Sequence, residues 1–473
     1  MGENAKRVFT NKQLTGLILF IAVLLITFII PPTATITVAG RNNVGLLMGV
    51  VTLLICGTFS MGFIGVLSIC LMYFTGVAGT AVDALGGYKN TTTFFIFASY
   101  GITMAITSTP IAKRFMRWII LRFGRNTRSV LIAVMCAAGG ISAFVSNLPV
   151  VTAFIPLGLD YLKFFDDEND KRSAGAALMI GIPAAVAIGG LMTPAGGAMN
   201  VAIMDRLNQF GGVQLTFIQW MYAGTPFAVV CIFVAAFILC WVFKPKDIKR
   251  EKLDMYIESL DVPDHMERNE KYVIFVVFLM FVCWIAGTWI RYFNTTIVCL
   301  SGLILFMLPG FGIFDFKAFV KAANWELFIY IGAVIELGNL LTTNGIVAAI
   351  VQVVSSSISG LHIPLPILIL LLCSVLYVLV SLMPVGPTLA MNLTIPIIGI
   401  AQGLGYAPTA FALALGFVGY TGFIVPIDTI PMLGYSQGYF TIGEGVKATI
   451  PITIVMIIMI TLWIPFCTTV LIR

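Results

Sequence analysis

Charged residues are scarce in this 473-residue chain, in which 10% of residues are charged and 59% are hydrophobic. Soluble globular proteins contain about a quarter charged residues, so this balance excludes a water-soluble enzyme, a nucleic-acid-binding protein and a disordered chain. The longest polar stretch, residues 244–271, is too short to enclose a core of its own. The composition therefore predicts an all-α polytopic membrane protein whose solvent is the lipid bilayer.

Paired cysteines and catalytic signatures are also lacking. The nine cysteines lie singly in apolar segments without a CxxC pair, so we interpret them as small buried side chains. No HExxH, paired His/Asp cluster or Gly-x-Ser-x-Gly element occurs, which argues against an embedded enzyme. No organic cofactor is expected. The N-terminal apolar run lacks the cleavage site of a signal peptide and is interpreted as a first span.

Hydropathy predicts about eleven spans, counted as segments near the roughly 20 residues that a crossing helix needs. Two further apolar regions, 129–162 and 364–402, are each long enough to cross twice, but each is broken near its middle by Ser, Asn, Gly or Pro. Irregular backbone at membrane depth persists only inside protein or beside a water-filled cavity. Both regions are therefore predicted to be re-entrant hairpins, and a pair of kinked ordinary spans is the alternative for each.

Lysine and arginine are distributed unevenly between the predicted loops. With the N-terminus inside and eleven crossings, most of the 27 Lys and Arg residues fall on the cytoplasmic side, as the positive-inside rule requires. Arg206 is one of the few that fall outside. We therefore expect a multi-pass protein of the cell inner membrane with a cytoplasmic N-terminus, an external C-terminus and hairpins that enter from opposite faces.

The two halves of the chain resemble each other weakly. Ser146 precedes Pro156 by ten residues, as Gly386 precedes Pro396. Downstream of each hairpin, a span is broken by a cluster of Gly, Pro and Thr. Paired breaks in inverted halves indicate the substrate site of a secondary transporter near the midplane, although a channel or an embedded enzyme could also arise by duplication.

Broken helices would direct unpaired backbone groups into the space between the halves. Their N-termini favour the oxygens of an anion, and their C-termini with unwound carbonyls favour a small cation. The predicted core contains no Lys or Arg, so helix dipoles, hydrogen bonds and co-bound cations would hold an anionic substrate. The neutral donors and acceptors that suit these tasks are Ser146, Asn147, Thr193, Asn200, Thr388 and Thr429.

Two carboxylates, Glu336 and Asp428, fall within predicted membrane segments. A charge at that depth is costly unless it is paired, protonated or hydrated, so each is a functional candidate. For Asp428 the functional interpretation is proton coupling or direct cation ligation, and the structural alternative is a helix cap. Glu336 has a structural alternative too, because Asn339 or Thr342 could satisfy it.

At its tips and breaks the sequence resembles the divalent-anion:sodium symporter (DASS) family of the ion transporter superfamily, as a divergent member. Ser146-Asn147-Leu148 resembles the Ser-Asn-Thr motif of the family's first hairpin tip, and 193–200 resembles the Thr-Pro-Pro-Asn-like break that follows it. The second tip departs from that motif, since Gly386-Pro387-Thr388 lacks a hydroxyl and an amide.

The resemblance implies an inverted-repeat fold, a homodimer built on a scaffold domain, and an elevator motion that carries a transport domain across the membrane. It also implies a first sodium site, shared with part of the anion site, at Ser146, Asn147 and Gly196. The predicted parts are scaffold spans in 1–92, a first inverted repeat in 93–243, a cytoplasmic loop in 244–271, scaffold spans in 272–325, and a second inverted repeat in 326–473. The first repeat contains an inner hairpin in 129–162 and a broken helix in 174–208. The second repeat contains an outer hairpin in 364–402 and a broken helix in 408–432.

The function hypothesis is a secondary active transporter of a dicarboxylate, tricarboxylate or sulfate, coupled to sodium, protons or both. An uncoupled exchanger or facilitator on the same fold is the alternative. The candidate substrate-binding residues are Ser146, Asn147, Leu148, Asn200, Gly386, Pro387, Thr388 and Thr429. The candidate cation-binding or coupling residues are Ser146, Asn147, Gly196, Thr193 and Asp428.

Overall fold

The computed structural model describes residues 10–32, 36–124, 126–358, 363–382, 386–422, 424 and 428–471, and these residues form helices and no strand. Short 3-10 turns occupy Gly86–Lys89 and Pro194–Gly196, and a π-helical turn occupies Cys467–Leu471. The α-helices are α1 Asn11–Ile29, α2 Val38–Ile55, α3 Met61–Phe74, α4 Ala81–Ala84, α5 Thr91–Thr107, α6 Ile111–Phe123, α7 Thr127–Ser142, α8 Asn147–Leu162, α9 Glu168–Gly189, α10 Ala198–Phe210, α11 Phe217–Phe243, α12 Arg250–Ser259, α13 Arg268–Ala286, α14 Thr295–Phe306, α15 Phe316–Ala322, α16 Trp325–Thr343, α17 Ile346–Ile358, α18 Leu365–Leu382, α19 Gly386–Gly403, α20 Pro408–Tyr420, α21 Thr429–Tyr435 and α22 Ile442–Phe466.

Many of these helices begin at a hydroxyl or amide side chain. Thr216 starts α11, for example, where its hydroxyl accepts the backbone N–H of Gln219 and the Gln219 side chain accepts the N–H of Thr216. Such a box satisfies two N–H groups that have no partner inside the helix. Each cap contributes about 1 kcal/mol, and caps matter most where lipid offers no hydrogen bonds.

Within the described residues, five helices are long and apolar enough to cross a bilayer, and α5 with α6, joined at a 61° bend, would make a sixth if the pair forms one span. Nine further helices contain apolar stretches of 10–17 residues among the described residues. The protein is therefore all-helical with several apolar helices, and the number of eleven crossings stays a prediction.

The chain runs through the same order of helices twice. Seven α-helices follow one another in the series α5 to α11 and seven again in the series α16 to α22, and each series ends in a long helix, α11 or α22. The packing between the series is reciprocal: α10 packs against α19 and α20, and α21 packs against α8 and α9. Helix α10 of the first series thus packs against α19 of the second, and α21 of the second packs against α8 of the first.

The first hairpin consists of α7 and α8. Each has 16 residues, or about 24 Å of helix at 1.5 Å per residue, which is less than the roughly 30 Å of a hydrocarbon core. The turn between them lies inside the protein, with Ala143 and Val145 buried. The corresponding turn of the second hairpin, between α18 and α19, lies outside the described residues.

Small residues let the broken helix α9 approach the hairpin closely. A Cβ placed on Gly189 would stand 2.2 Å from the carbonyl oxygen of Gly139 in α7, so no larger residue fits without separating the two backbones. Close backbone contact through small residues is the usual way in which membrane helices associate. Since α9 is buried on nearly all sides, its end is held at a fixed depth beside the hairpin turn.

Arg206 does not lie in an external loop. It belongs to α10, is 2% exposed, and donates from Nη2 to the carbonyl oxygen of Ile335 at 2.9 Å and from Nη1 to Asn339. Asn339 in turn donates to Glu336 Oε2 at 3.1 Å. The prediction that the core contains no Lys or Arg is therefore wrong. The polar residues at the end of α10 lower the mean hydropathy of this segment to a value typical of a loop, and for this reason the sequence places Arg206 outside.

The polar segment 244–271 packs against the first hairpin. It contains helix α12, from which the buried Tyr256 donates its hydroxyl proton to the carbonyl oxygen of Leu157 at 2.9 Å. Lys252 pairs with Asp166 in the connection before α9 and lowers the pKa of that carboxyl. The stretch 244–271 is thus a packed segment attached to α8 rather than a plain connection.

Candidate functional site

The turn of the first hairpin brings three polar side chains together at the start of α8. Ser146 is the N-cap of α8, and Asn147 is its first residue and is 9% exposed. Ser142, fully buried in α7, has its Oγ 2.8 Å from Asn147 Oδ1 and 2.8 Å from the carbonyl oxygen of Val186 in α9. A hydroxyl has one proton, so Ser142 can donate to only one of these oxygens at a time and leaves the other available to a ligand.

The break after α9 is attached to this turn. Thr193 has an extended backbone and is followed by Pro194, and a residue before proline favours this extended conformation over a helical one. The Thr193 hydroxyl accepts the N–H of Ala195 at 3.1 Å and donates to the carbonyl oxygen of Ala143 in the hairpin turn. One threonine therefore both caps the short turn after the break and fixes the break against the hairpin.

Asn200 closes the other side of the break. It is fully buried, and its Nδ2 donates to the carbonyl oxygens of Gly190 at 2.7 Å and Thr193 at 2.8 Å. Its Oδ1 has no hydrogen-bond partner among the described residues. A buried carbonyl oxygen without a partner costs about 1–3 kcal/mol, which a bound cation or a water molecule would offset.

Gly196 lets several carbonyl oxygens converge beside these side chains. A Cβ on Gly196 would lie 2.5 Å from the carbonyl oxygen of Gly190 and 2.9 Å from that of Ser142. Together with the side-chain oxygens of Asn147 and Asn200, these form a set of neutral oxygen donors. Unwound carbonyls and helix C-terminal ends of this kind are the ligands that transporters use for sodium, so the donor set fits that cation.

The start of α10 faces the same region with its backbone N–H groups. Gly197 is the N-cap of this helix and offers no side-chain acceptor. The hydroxyl oxygen of Tyr420, the last residue of α20, lies 1.7 Å from the position that a Cβ on Gly197 would take. A helix N-terminus, which is the positive end of the helix dipole, suits the oxygens of an anion.

The residues predicted from the second half behave differently. Asp428 is the N-cap of α21, and its Oδ1 accepts the N–H of Thr429 at 2.6 Å, so the structural alternative of a helix cap is present. The side chain of Thr429 is exposed. Gly386, Pro387 and Thr388 open α19, but their side chains lie outside the described residues, and their part in the site stays a prediction.

Leu148 stands apart from the polar cluster, since it is 41% exposed. Ser146, Asn147, Thr193, Gly196 and Asn200 are brought together around the first break. The cluster also contains Ser142, which lies one turn before the hairpin tip, and Tyr420, whose position depends on how the two series of helices interlock. Neither residue was predicted, and only Ser142 carried a signal that sequence could have supplied, namely its place one helical turn before a polar tip.

A cavity of about 390 Å³ opens beside the hairpin. Its wall includes Val145 next to the tip, Thr152 in α8, and the polar turn Thr107, Ser108 and Thr109 between α5 and α6. Lys113 and Asp261 also line it. The cavity therefore extends from charged side chains to within one residue of Ser146.

These features define a helical membrane protein in which a broken helix packs on a hairpin around a polar cluster, an arrangement typical of secondary transporters. The profile of the family described as sodium:sulfate symporter transmembrane region matches residues 11–472. The chain belongs to this family, which confirms the resemblance drawn from the tips and breaks. Membership indicates a secondary anion transporter rather than an enzyme.

Curated relatives agree with this assignment. A membrane protein of Cupriavidus necator is 24% identical over 93% of this chain and 89% of its own length. A sodium-dependent dicarboxylate transporter, SdcS, of Staphylococcus aureus strain USA300 is 23% identical over 72% of this chain and 70% of its own length.

Two solved structures share the fold at 12% sequence identity. MtrF of Neisseria gonorrhoeae aligns with a TM-score of 0.58 over 98% of this chain and 95% of its own. The YdaH transporter of Alcanivorax borkumensis aligns with a TM-score of 0.53 over 97% of this chain and 99% of its own.

Proposed function

We propose that this protein is a secondary active transporter that moves a small di- or multivalent anion across the cell inner membrane, coupled to sodium, protons or both. Dicarboxylate, tricarboxylate and sulfate are the substrate classes. The observation that carries the proposal is the meeting of the first hairpin tip with the first break. There, neutral oxygens for a cation and helix N–H groups for an anion lie side by side.

Adjacent cation and anion sites give a physical basis for coupling. A cation bound by the oxygens around Gly196 would place a positive charge beside the N-terminus of α10, and in a low-dielectric interior such a charge attracts an anion strongly. Each solute would then raise the affinity for the other by the same factor, as thermodynamic linkage requires. Sodium is the first candidate, since a relative bears the name of a sodium-dependent transporter.

The proposed mechanism is an elevator motion. The hairpins and broken helices of both halves would move as a transport domain against scaffold spans, in a homodimer with the N-termini in the cytoplasm and the C-termini outside. The reciprocal packing of α10 with α19 and of α21 with α8 supports one cohesive mobile unit. Alternating access by rigid motion of one such unit against another is common among inverted-repeat transporters.

The test is uptake into proteoliposomes with sodium and proton gradients imposed separately, against radiolabelled succinate, malate, citrate and sulfate. We expect accumulation of at least one anion above equilibrium when the inward sodium gradient, the proton gradient or both are present. Empty liposomes and protein without a gradient are the controls. Absence of uptake for every anion, in protein that remains monodisperse, would refute the transport function.

An uncoupled exchanger or facilitator is the second candidate. One feature favours it: the second tip reads Gly386-Pro387-Thr388 and lacks the hydroxyl and amide that would ligate a second cation. In that case the same liposomes would exchange internal for external anion at equal rates with and without either gradient.

A further inference from the structure

An apolar groove of about 320 Å³ lies between the first hairpin and α13. Every residue that lines it is aliphatic, aromatic or glycine. One wall is α7 of the hairpin, with Ile141 and Phe144, and the opposite wall is α13, with Ile274 and Phe278. Most residues of α13 are not buried, and Ile274 and Phe278 are 40% and 63% exposed. The groove therefore opens toward the lipid.

The groove has two defined ends. At the start of α13, the buried Glu270 accepts two hydrogen bonds from Arg114 of α6, each of 2.9 Å. At the other end, the rings of Phe144 and Phe281 meet edge to face with their centroids 5.6 Å apart. The lining residues of α13 run from Val273 to Phe281, which is about 12 Å of helix at 1.5 Å per residue. This length is close to the depth of one leaflet, which is half of the roughly 30 Å hydrocarbon core.

The end at the start of α13 has the features of a membrane interface. Helix α6 bends by 61° from α5 and lines the groove with Ile111 and Phe115. The Phe115 ring stacks on that of Trp118, which is 58% exposed, and tryptophan is enriched at the interface. Helix α6 also contains four basic residues and no acidic one. Amphipathic helices of this composition lie in the interface with their cations toward anionic headgroups.

Lys271 adds a cation at the same end. It precedes Ile274 by three residues and Phe278 by seven, so it shares the face of α13 that lines the groove. It is exposed and forms no ion pair with a residue that the structure describes. Residues 111–123 and 264–271 together contain six basic and three acidic side chains. This end of the groove therefore favours a negatively charged headgroup.

We infer that the groove binds one acyl chain of an anionic phospholipid, with the headgroup beside Lys271 and α6. The lipid belongs to the leaflet that the predicted topology makes cytoplasmic. An apolar channel one leaflet deep with cations at its interfacial end matches both parts of such a lipid, the chain and the charged head. Because α7 leads to the hairpin tip, a bound chain also touches the element that carries the candidate transport site.

The experiment measures lipid binding to the full-length protein in detergent by native mass spectrometry, after endogenous lipid has been removed. The probes are phosphatidylglycerol and phosphatidylcholine with the same acyl chains. We expect the unsubstituted protein to bind phosphatidylglycerol at least about fivefold more tightly, which is the contribution of one basic residue near an anionic headgroup. Lys271→Gln should lower the affinity for phosphatidylglycerol by about fivefold and leave that for phosphatidylcholine unchanged. Lys321→Gln, on the exposed surface of α15, is the control and should keep both affinities.

Ile274→Trp tests the groove itself, because the larger ring occupies the space of the chain. It should lower the affinity for both lipids by about tenfold, since part of the chain loses its apolar contacts. Phe275→Trp is the matched control, because Phe275 is 58% exposed and does not line the groove. If Ile274→Trp is not monodisperse in size-exclusion chromatography, Val277→Phe places a smaller ring on the same wall.

Each of four results would overturn the inference. Equal affinity of the unsubstituted protein for the two lipids would exclude an anionic headgroup, and an unchanged preference in Lys271→Gln would remove the headgroup from this end. Unaltered binding in Ile274→Trp or its substitute Val277→Phe would place the lipid elsewhere. A changed oligomeric state of Ile274→Trp with unaltered lipid binding would assign the groove to a second copy of this chain. None of these measurements involves transport, so the inference and the proposed function stand or fall separately.

Discussion

Substitution of Asn147 tests whether the hairpin tip takes part in anion transport. Its Oδ1 and the carbonyl oxygen of Val186 are both 2.8 Å from the Ser142 hydroxyl, so Asn147→Ala leaves Ser142 with an acceptor. We expect the substitution to abolish anion accumulation in proteoliposomes while it lowers stability by only about 1 kcal/mol. Uptake and the thermal unfolding midpoint in detergent check the two halves of this prediction. Normal uptake by the variant would remove the tip from the site.

Substitutions of Asp428 can separate its role as the cap of α21 from a role in coupling transport to a cation gradient. Asn and Asp are similarly good N-caps, so Asp428→Asn should keep α21 in place while it removes the negative charge. We expect this variant to lose accumulation driven by sodium or proton gradients and to keep anion exchange, because a lost coupling charge does not prevent substrate binding. Asp428→Ala, which also removes the cap, is the comparison for stability. Unchanged dependence on both gradients in Asp428→Asn would limit Asp428 to a structural cap.

At the scale of elements, Arg206 connects α10 to α16 through Asn339 and the carbonyl oxygen of Ile335. Removing one member of a buried charged network leaves the others uncompensated and costs about 3–5 kcal/mol. We therefore expect Arg206→Met to lower the unfolding midpoint sharply and the double variant Arg206→Met/Glu336→Gln to recover part of the loss. A double-mutant cycle measures this coupling. Additive effects of the two substitutions would show that Glu336 and Arg206 act independently.

The first break was predictable from sequence, whereas its partners were not. Thr193-Pro194 favours an extended backbone by local chemistry, and the irregular segment between α9 and α10 contains this pair. The burial of Arg206 was not predicted because hydropathy is averaged over neighbouring residues. The polar residues beside Arg206 lower this average, although one face of α10 is apolar. Tyr420 gave no signal because its neighbours belong to the other series of helices. Its position depends on interlocking packing, which no local pattern contains.

At the scale of the whole molecule, the cavity beside the first hairpin gives a test of orientation. Thr152 lines this cavity, and the predicted topology puts its opening in the cytoplasm. Tyr292, which is 84% exposed, lies between α13 and α14 in a connection predicted to be outside. A membrane-impermeant thiol reagent should therefore label Thr152→Cys in inside-out vesicles and Tyr292→Cys in right-side-out vesicles.

The same pair of variants reports whether the cavity leads to the site. Sodium with a transported anion should slow labelling of Thr152→Cys, because solutes bound next to the hairpin tip alter the access to its wall, and should leave Tyr292→Cys unaffected. Labelling of the unsubstituted protein gives the background from its nine cysteines. If both variants react from the same side, the cavity and the connection share one face of the membrane, and the predicted topology is wrong.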